Sequence, residues 1–213
     1  KVCSYITDPV TTTDELIPSG ETGSFRSNPM GLAEFTLSRR VPEYIGKAKA
    51  VMNHEKNRKN GTCPEEVADA IAKIRTISGF AEIKEEKIDL SSIIYAVKPG
   101  DGSAREQAAS CQRVLLGGAN IAKEYATKRY RSNLINWGMV PFVTVSAPDF
   151  ADDDYIFVPN IREALEGSMV NIPAYVLGET IKPLTLAIAP LTKEEKDIIR
   201  AGSLINYNRM LKK

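Results

Sequence analysis

The pattern of apolar and polar residues changes character near residue 88. Before that point, apolar side chains recur at intervals of three and four, as on one face of a helix, for example at Val67, Ile71 and Ile74. After it, short runs rich in β-branched residues alternate with helical segments, which is typical of an α/β protein. The pattern predicts a single α/β domain over residues 1–213, with a helical insertion near residues 30–80.

The apolar runs, and the capping and turn residues between them, also predict individual helices and strands. Ser or Thr followed three residues later by Glu is a capping-box pattern, and it marks helix starts at Thr62, Ser103 and Thr192. The segment Asp8–Pro29 is rich in Thr, Ser, Gly and Pro and predicts a long loop, a kind of segment that often carries function. The predicted strands are Val2–Ile6, Ile88–Val97, Asn120–Tyr125, Val140–Val145, Tyr155–Val158 and a hairpin or meander within Val170–Ile188. The predicted helices are two in Gly31–Arg58 broken near Pro42, one after Thr62, Ser103–Leu116, Arg129–Trp137, Ile161–Leu165 and one after Thr192.

Composition excludes several classes of function. The 28 Lys and Arg residues nearly balance the 27 Asp and Glu, so no global field favours nucleic acid or an anionic membrane as partner. No apolar stretch approaches the roughly 20 residues that span a bilayer, and no signal-peptide pattern opens the chain. Because the first residue is Lys1 rather than Met, we expect a tag-trimmed product or a piece of a longer polypeptide.

Cysteine and histidine usage narrows the chemistry further. Three widely spaced cysteines, Cys3, Cys63 and Cys111, give an odd count without CxxC spacing, which predicts a reducing cytoplasm rather than a disulfide framework. The single histidine, His54, lies in a polar stretch and is predicted to be a surface residue. Ser-His-Asp catalysis and most zinc chemistry are therefore disfavoured.

The run Gly100-Asp101-Gly102-Ser103-Ala104-Arg105-Glu106-Gln107-Ala108-Ala109 is the strongest candidate for chemistry. A strand that enters a glycine turn and then a helix leaves backbone N–H groups free to bind an anion. Ser103 can act as a base only if its alkoxide is strongly stabilised, and Arg105 and those N–H groups are the available stabilisers. The alternative is that Ser103 and Glu106 only cap the helix, which needs no function. The two roles are compatible, because a capping serine also presents its hydroxyl to a ligand.

A second candidate is the loop Thr11-Thr12-Thr13-Asp14 together with Arg26 in a glycine-rich stretch. An Asp after threonines commonly forms a turn, and an arginine in a loop is commonly exposed to solvent. If Arg26 and Arg105 converged on one cleft, however, they would recognise carboxylates through paired hydrogen bonds. A di- or tricarboxylate ligand would call for such a pair.

Together these segments resemble the C-terminal swivelling domain of the aconitase and isopropylmalate isomerase superfamily. Thr12-Thr13-Asp14 is similar to the family's T-T-D motif, and Arg26 follows Asp14 at an aconitase-like distance. Gly102–Ala109 resembles the family's G-S-S-R-E-H-A-A. Similar stretches follow at Gly117–Ile121, Asn133-Leu134 and Gly138–Phe142, so the resemblance covers nearly the whole chain.

The resemblance implies a swivelling β/β/α fold, of the aconitase C-terminal or isopropylmalate isomerase small-subunit type. It also implies a hydro-lyase reaction on a hydroxy di- or tricarboxylic acid. Ser103 would remove a proton from the carbon beside a carboxylate, Arg26 and Arg105 would bind substrate carboxylates, and Asp14 would support proton delivery. A [4Fe-4S] cluster, held by cysteines of other domains, would act as the Lewis acid, so the chain alone would be inactive.

Two departures from the family pattern leave the substrate open. Ala104 stands where aconitases have a substrate-binding serine, and Gln107 replaces the family's His, while Arg26 favours aconitase-like specificity. The implied partners are the cluster-bearing aconitase domains 1–3, in the same chain or as a separate large subunit of an isopropylmalate isomerase-type enzyme. An alternative from a different class of function is a non-catalytic module that binds an anion at the helix start of Gly100–Arg105.

Overall fold

A seven-stranded mixed sheet forms the centre of the computed structural model, which describes residues 1–25 and 27–212. Its parallel half consists, in spatial order, of β1 (Val2–Ile6), β3 (Ser92–Ala96), β5 (Gly117–Ala122) and β6 (Val140–Thr144). Its antiparallel half continues with β9 (Ile181–Ile188), β8 (Ile172–Leu177) and β7 (Ile156–Phe157). A separate two-stranded parallel sheet pairs β2 (Thr11–Thr12) with β4 (Pro99–Asp101).

The large sheet curls so that its two edges meet. The backbone N–H of Val2 donates to the carbonyl of Asp154 at 2.8 Å, and the N–H of Asp153 donates to the carbonyl of Val2 at 2.9 Å. These bonds tie edge strand β1 to the segment that leads into edge strand β7. Pairing of this kind leaves fewer free backbone groups at the sheet edges.

Helices cover both faces of the sheet, and the predicted helical insertion corresponds to the second, third and fourth of them. The helices are α1 (Thr13–Leu16), α2 (Pro29–Ala33), α3 (Tyr44–Lys59), α4 (Glu65–Thr76), α5 (Arg105–Val114), α6 (Lys128–Asn136), α7 (Ile161–Glu166), α8 (Lys193–Ala201) and α9 (Leu204–Leu211). Within the described residues, no helix is long and apolar enough to cross a membrane.

Strand β3 shows how the sheet builds two cores. All five of its residues are buried, as expected for a strand covered on both faces. Side chains alternate along the strand, so Ile94 packs in one apolar cluster while Ile93 and Tyr95 pack in the other. The first cluster joins the sheet to α3, α5 and α6. The second lies between the parallel and antiparallel halves of the curled sheet and includes residues of α7 and α8.

The structure confirms the α/β alternation after residue 88 and the β8–β9 hairpin, and it corrects three local predictions. The loop predicted at Asp8–Pro29 contains β2 and α1, and α1 begins with a capping box between Thr12 and Glu15. The box predicted at Thr62 does not form, because Pro64 is the N-cap of α4 and no side chain caps that helix. Proline fixes a backbone dihedral compatible with a helix start and has no N–H to satisfy. Helix α9 was not predicted.

Candidate active site

The small sheet of β2 and β4 brings the two sequence motifs together. Thr11 pairs with Pro99 and Thr12 with Asp101, so the threonine-rich segment lies along the strand that enters the glycine turn. The backbone N–H of Ala104 then donates to Thr13 Oγ1 at 3.3 Å, across 91 residues of sequence. The Thr13 side chain is buried at this contact.

Gly102 is required for this close approach. A Cβ atom on Gly102 would lie 2.3 Å from Thr13 Oγ1, and the residue adopts a φ of +128°, which side chains disfavour. The turn thus depends on glycine for both its backbone conformation and its contact with Thr13.

The capping box predicted for Ser103 and Glu106 does not form. Helix α5 begins at Arg105, its N-cap is Ala104, and no side chain caps it. Glu106 instead accepts hydrogen bonds from Trp137 Nε1 at 2.7 Å and from Asn133 Nδ2, and so connects α5 to α6. The box does not form because the helix begins one residue later than predicted, with Ala104 as its N-cap, and because Trp137 and Asn133 engage the Glu106 carboxylate.

Ser103 is therefore left with a free, exposed hydroxyl. Within residues 1–25 and 27–212, its side chain forms no hydrogen bond, and the residue is exposed at the start of α5. The first N–H groups of a helix have no partner inside the helix, so α5 presents donors and a partial positive charge beside this hydroxyl. Arg105 follows two residues later and donates to the carbonyl of Gly102, which holds its guanidinium at the turn.

Ser103 and Arg105 line one shallow surface cavity of about 430 Å³, open to solvent, between the starts of α5 and α6. Its lining carries three basic side chains and one carboxylate. The complete lining is Ser103, Arg105, Glu106, Lys128, Arg129, Ser132 and Asn133.

The other predicted site residues that the structure describes, Asp14 and Ala104, do not line this cavity. Asp14 is exposed on α1, where its carboxylate lies 3.3 Å from Arg39 Nη1, and it does not line the cavity. Ala104 contributes its backbone N–H to Thr13. Arg26 lies outside the described residues, so its convergence with Arg105 remains a prediction.

Lys128 and Arg129 are the cavity residues that sequence reasoning missed. They form the first turn of α6, which contains no acidic residue. A signal was present in the sequence, since two adjacent cations at a helix start are unfavourable for the helix dipole. The sequence predicts the helix start at Arg129, one residue late, so only one of the two cations falls within the predicted helix.

Tyr130, which follows Arg129 in α6, packs against the glycine turn. Its ring packs directly on Gly100, and its buried hydroxyl accepts hydrogen bonds of 2.9 Å from Gln112 of α5 and from Asn120 of β5. Burial raises the pKa of Tyr130 to about 12, despite the opposing effect of those hydrogen bonds, so the hydroxyl is neutral at physiological pH. The turn is thus held between Tyr130 on one side and Thr13 on the other.

The cysteines of this chain do not fit an iron–sulfur cluster. Cys3 and Cys111 are buried in the core, and burial raises the pKa of each thiol to about 11, which disfavours the thiolate that binds metal. In the described part of the chain, no group of three or more His, Cys, Asp or Glu residues could hold a metal ion.

Comparison with known proteins identifies the fold of the chain. No family model and no curated protein sequence matches the chain. Among solved structures, the chain is similar to 3-isopropylmalate dehydratase (leuD) of Methanocaldococcus jannaschii, with a TM-score of 0.59 and 21% sequence identity. The similarity covers 98% of this chain and 93% of that one. The chain has a swivelling β/β/α fold of the isopropylmalate isomerase type.

This result confirms the fold class predicted from the motifs. In the swivelling fold, the two predicted motifs come from β2–α1 and β4–α5, and they meet through the small parallel sheet. A shared fold does not by itself determine chemistry, so function has to be argued from the cavity.

Proposed function

We propose that this chain is the swivelling component of an iron–sulfur hydro-lyase that acts on a hydroxy di- or tricarboxylic acid. The observation that carries the proposal is the free hydroxyl of Ser103 in a basic cavity at a helix start. The similarity to a dehydratase in fold supports the same reaction class. Because the thiols of this chain do not fit a cluster, the proposal assigns the [4Fe-4S] group to another domain or chain.

A separate small subunit, paired with a cluster-bearing large subunit, is better supported than an aconitase-like domain of one long chain. The support is the similarity to the dehydratase, which extends over nearly all of both chains. The intact mass of the native polypeptide tests this choice. A mass near 23.4 kDa supports a separate subunit, whereas a several-fold larger mass supports a domain of a longer enzyme.

In the proposed reaction, Ser103 Oγ takes the proton from the carbon beside a carboxylate. The electron pair of that C–H bond forms a C=C bond as the hydroxyl on the neighbouring carbon gains a proton and leaves as water. Ser103 needs a stabilised alkoxide for this step, and Arg105 and the free N–H groups of α5 are positioned to provide it. The assignments of Asp14 to proton delivery and of Arg26 to carboxylate binding remain part of the proposal.

Replacement of Ser103 by Ala in the holoenzyme tests the role of the base. We expect kcat to fall by about 10²–10⁴-fold, the usual contribution of general acid–base catalysis, with a much smaller change in KM. Ser110→Ala is the matched control, because Ser110 lies on the same helix, bonds to the carbonyl of Gln107 and does not line the cavity. A near-normal kcat in Ser103→Ala would contradict the assignment.

A non-catalytic anion-binding module is the second candidate, and the basic lining of the cavity favours it over other binding functions. Such a module would bind inorganic phosphate at least as well as a tricarboxylate. Calorimetric titration with citrate and with phosphate separates the two proposals, because a hydro-lyase site is expected to prefer citrate.

A further inference from the structure

We propose that Lys128 and Arg129 form a second anion subsite beside Ser103, which binds the substrate carboxylate farthest from the reacting carbon. The inference deepens the proposed function and rests on it for the identity of the ligand. The subsite itself rests on the arrangement of charges at the starts of α5 and α6.

The first observation is where the two cations lie. Lys128 and Arg129 are exposed residues that line the same cavity as Ser103 and Arg105. Neither forms an ion pair with an acidic residue in the part of the chain that the structure describes. The next cation of the helix differs, since Arg131 donates to the carbonyls of Ala189 and Pro190 at 2.9 and 2.8 Å and so has a structural role.

The second observation is that these cations are unfavourable for their own helix. The start of a helix carries a partial positive charge, and α6 has two cations and no acidic residue in its first turn. Helices α4 and α8 follow the usual rule, with two glutamates each in the first turn. A bound anion would relieve the repulsion at α6.

The third observation is the charge balance of the cavity. Its lining has three cations and the single carboxylate of Glu106, so the charges sum to +2. Glu106 is already engaged by Trp137 and Asn133, and within the described residues it makes no ion pair with the cavity cations. The excess positive charge matches a ligand with two or more negative groups.

The distribution of the cations favours a polycarboxylate over a compact anion. Arg105 lies on α5 beside Ser103, whereas Lys128 and Arg129 lie on α6, so the positive groups come from two sides of a cavity of about 430 Å³. If Arg105 holds the carboxylate next to the reacting carbon, Lys128 and Arg129 are left for a carboxylate at the other end. Arginine binds a carboxylate through two parallel hydrogen bonds, which adds orientation to charge.

Calorimetric titration of the protein with citrate, malate and inorganic phosphate tests the subsite without requiring turnover. In the double variant Lys128→Gln/Arg129→Gln, we expect the Kd for citrate to rise at least tenfold. Lys193→Gln is the matched control, because Lys193 is also the first residue of a helix and does not line the cavity. Its Kd for citrate should change less than twofold. Thermal melting of each variant shows whether it is folded, as expected for substitutions of exposed residues.

Four results would overturn the subsite. Two concern the variants: unchanged citrate binding in the double variant, and an equal loss in Lys193→Gln. The other two concern the unmodified protein: phosphate binding as tight as citrate binding, and absence of citrate and malate binding. In the holoenzyme, the double variant should raise KM by a larger factor than it lowers kcat, since the subsite binds substrate and does not move protons.

The outcomes for Ser103→Ala separate this inference from the proposed function. If Ser103→Ala retains turnover while the double variant loses citrate binding, the subsite stands and the catalytic assignment fails. If Ser103→Ala loses turnover while the double variant binds citrate normally, the catalytic assignment stands and the subsite fails.

Discussion

Helices α5 and α8 begin with the same sequence pattern and reach different structures. At α8, Thr192 accepts from the N–H of Glu195 at 3.1 Å, and Glu195 accepts from the N–H of Thr192 at 2.8 Å, which completes a capping box. At α5, the corresponding pair of Ser103 and Glu106 forms neither bond. Thr13 accepts the N–H of Ala104, the N-cap residue, and Trp137 and Asn133 engage Glu106.

The difference shows when a serine at a helix start keeps its hydroxyl free to react. A serine that caps its own helix has its oxygen occupied by a backbone N–H. At α5, no side chain caps the helix, so Ser103 keeps a free hydroxyl beside uncapped backbone N–H groups. Thr13, from a distant segment, holds the preceding turn through the N–H of Ala104. The four predictions below test this division of roles, from the largest expected effect to the smallest.

Gly102→Ala should produce the largest loss of stability. We expect about 1–3 kcal/mol from the strained backbone conformation and a similar amount from the clash of the new Cβ with Thr13. Gly202→Ala at the end of α8 is the control, because Gly202 also has a positive φ but its nearest neighbour lies 3.8 Å from the Cβ position. Urea denaturation of both variants measures the difference. Equal losses would mean that the contact with Thr13 is unimportant.

Thr13→Val should remove the acceptor that holds the turn before α5 while it nearly preserves the side-chain volume. The N–H of Ala104 then loses its acceptor in a partly buried position, which costs about 1–3 kcal/mol. Thr13→Ser keeps the hydroxyl and should recover most of the loss. If Thr13→Val is as stable as the unmodified protein by chemical denaturation, the Thr13 hydroxyl does not hold the turn.

Thr192→Ala and Ser103→Ala compare the two helix starts directly. Loss of the Thr192 cap should lower the free energy of unfolding by about 1 kcal/mol, the typical value for an N-cap residue. Ser103→Ala should change it by less than about 0.5 kcal/mol, as for an exposed side chain without partners. A comparable loss in both variants would restore the interpretation of Ser103 as a cap.

Glu106→Gln should have the smallest effect of the four, and that effect should be on the affinity for citrate. The amide can still accept a hydrogen bond from Trp137 or Asn133, so stability should change little. Removal of one negative charge from the cavity should tighten citrate binding by about threefold at low salt, because the charge is exposed and screened. Calorimetry at two salt concentrations measures the change, and weaker binding in the variant would contradict the charge balance described above.

Local patterns predicted most of the fold. Alternating apolar runs located the strands of the large sheet, and glycine at position 138 correctly marked the end of α6. The sequence pattern did not predict the short elements β2, α1 and α9, because a segment of few residues shows little periodicity. The topology that pairs β2 with β4 has no local signal, since it joins segments about 90 residues apart.

By itself, the sequence determined the α/β class, the glycine turn and the position of Ser103 at a helix start, because each depends on neighbouring residues. Its motifs also led to the swivelling fold. Only the tertiary structure decided that Ser103 does not cap α5, that Thr13 accepts the N–H of Ala104, and that Lys128 and Arg129 share the cavity. The physical reason is that a hydrogen-bond acceptor can come from any segment that folding brings within about 3 Å, and local spacing cannot show which segment arrives.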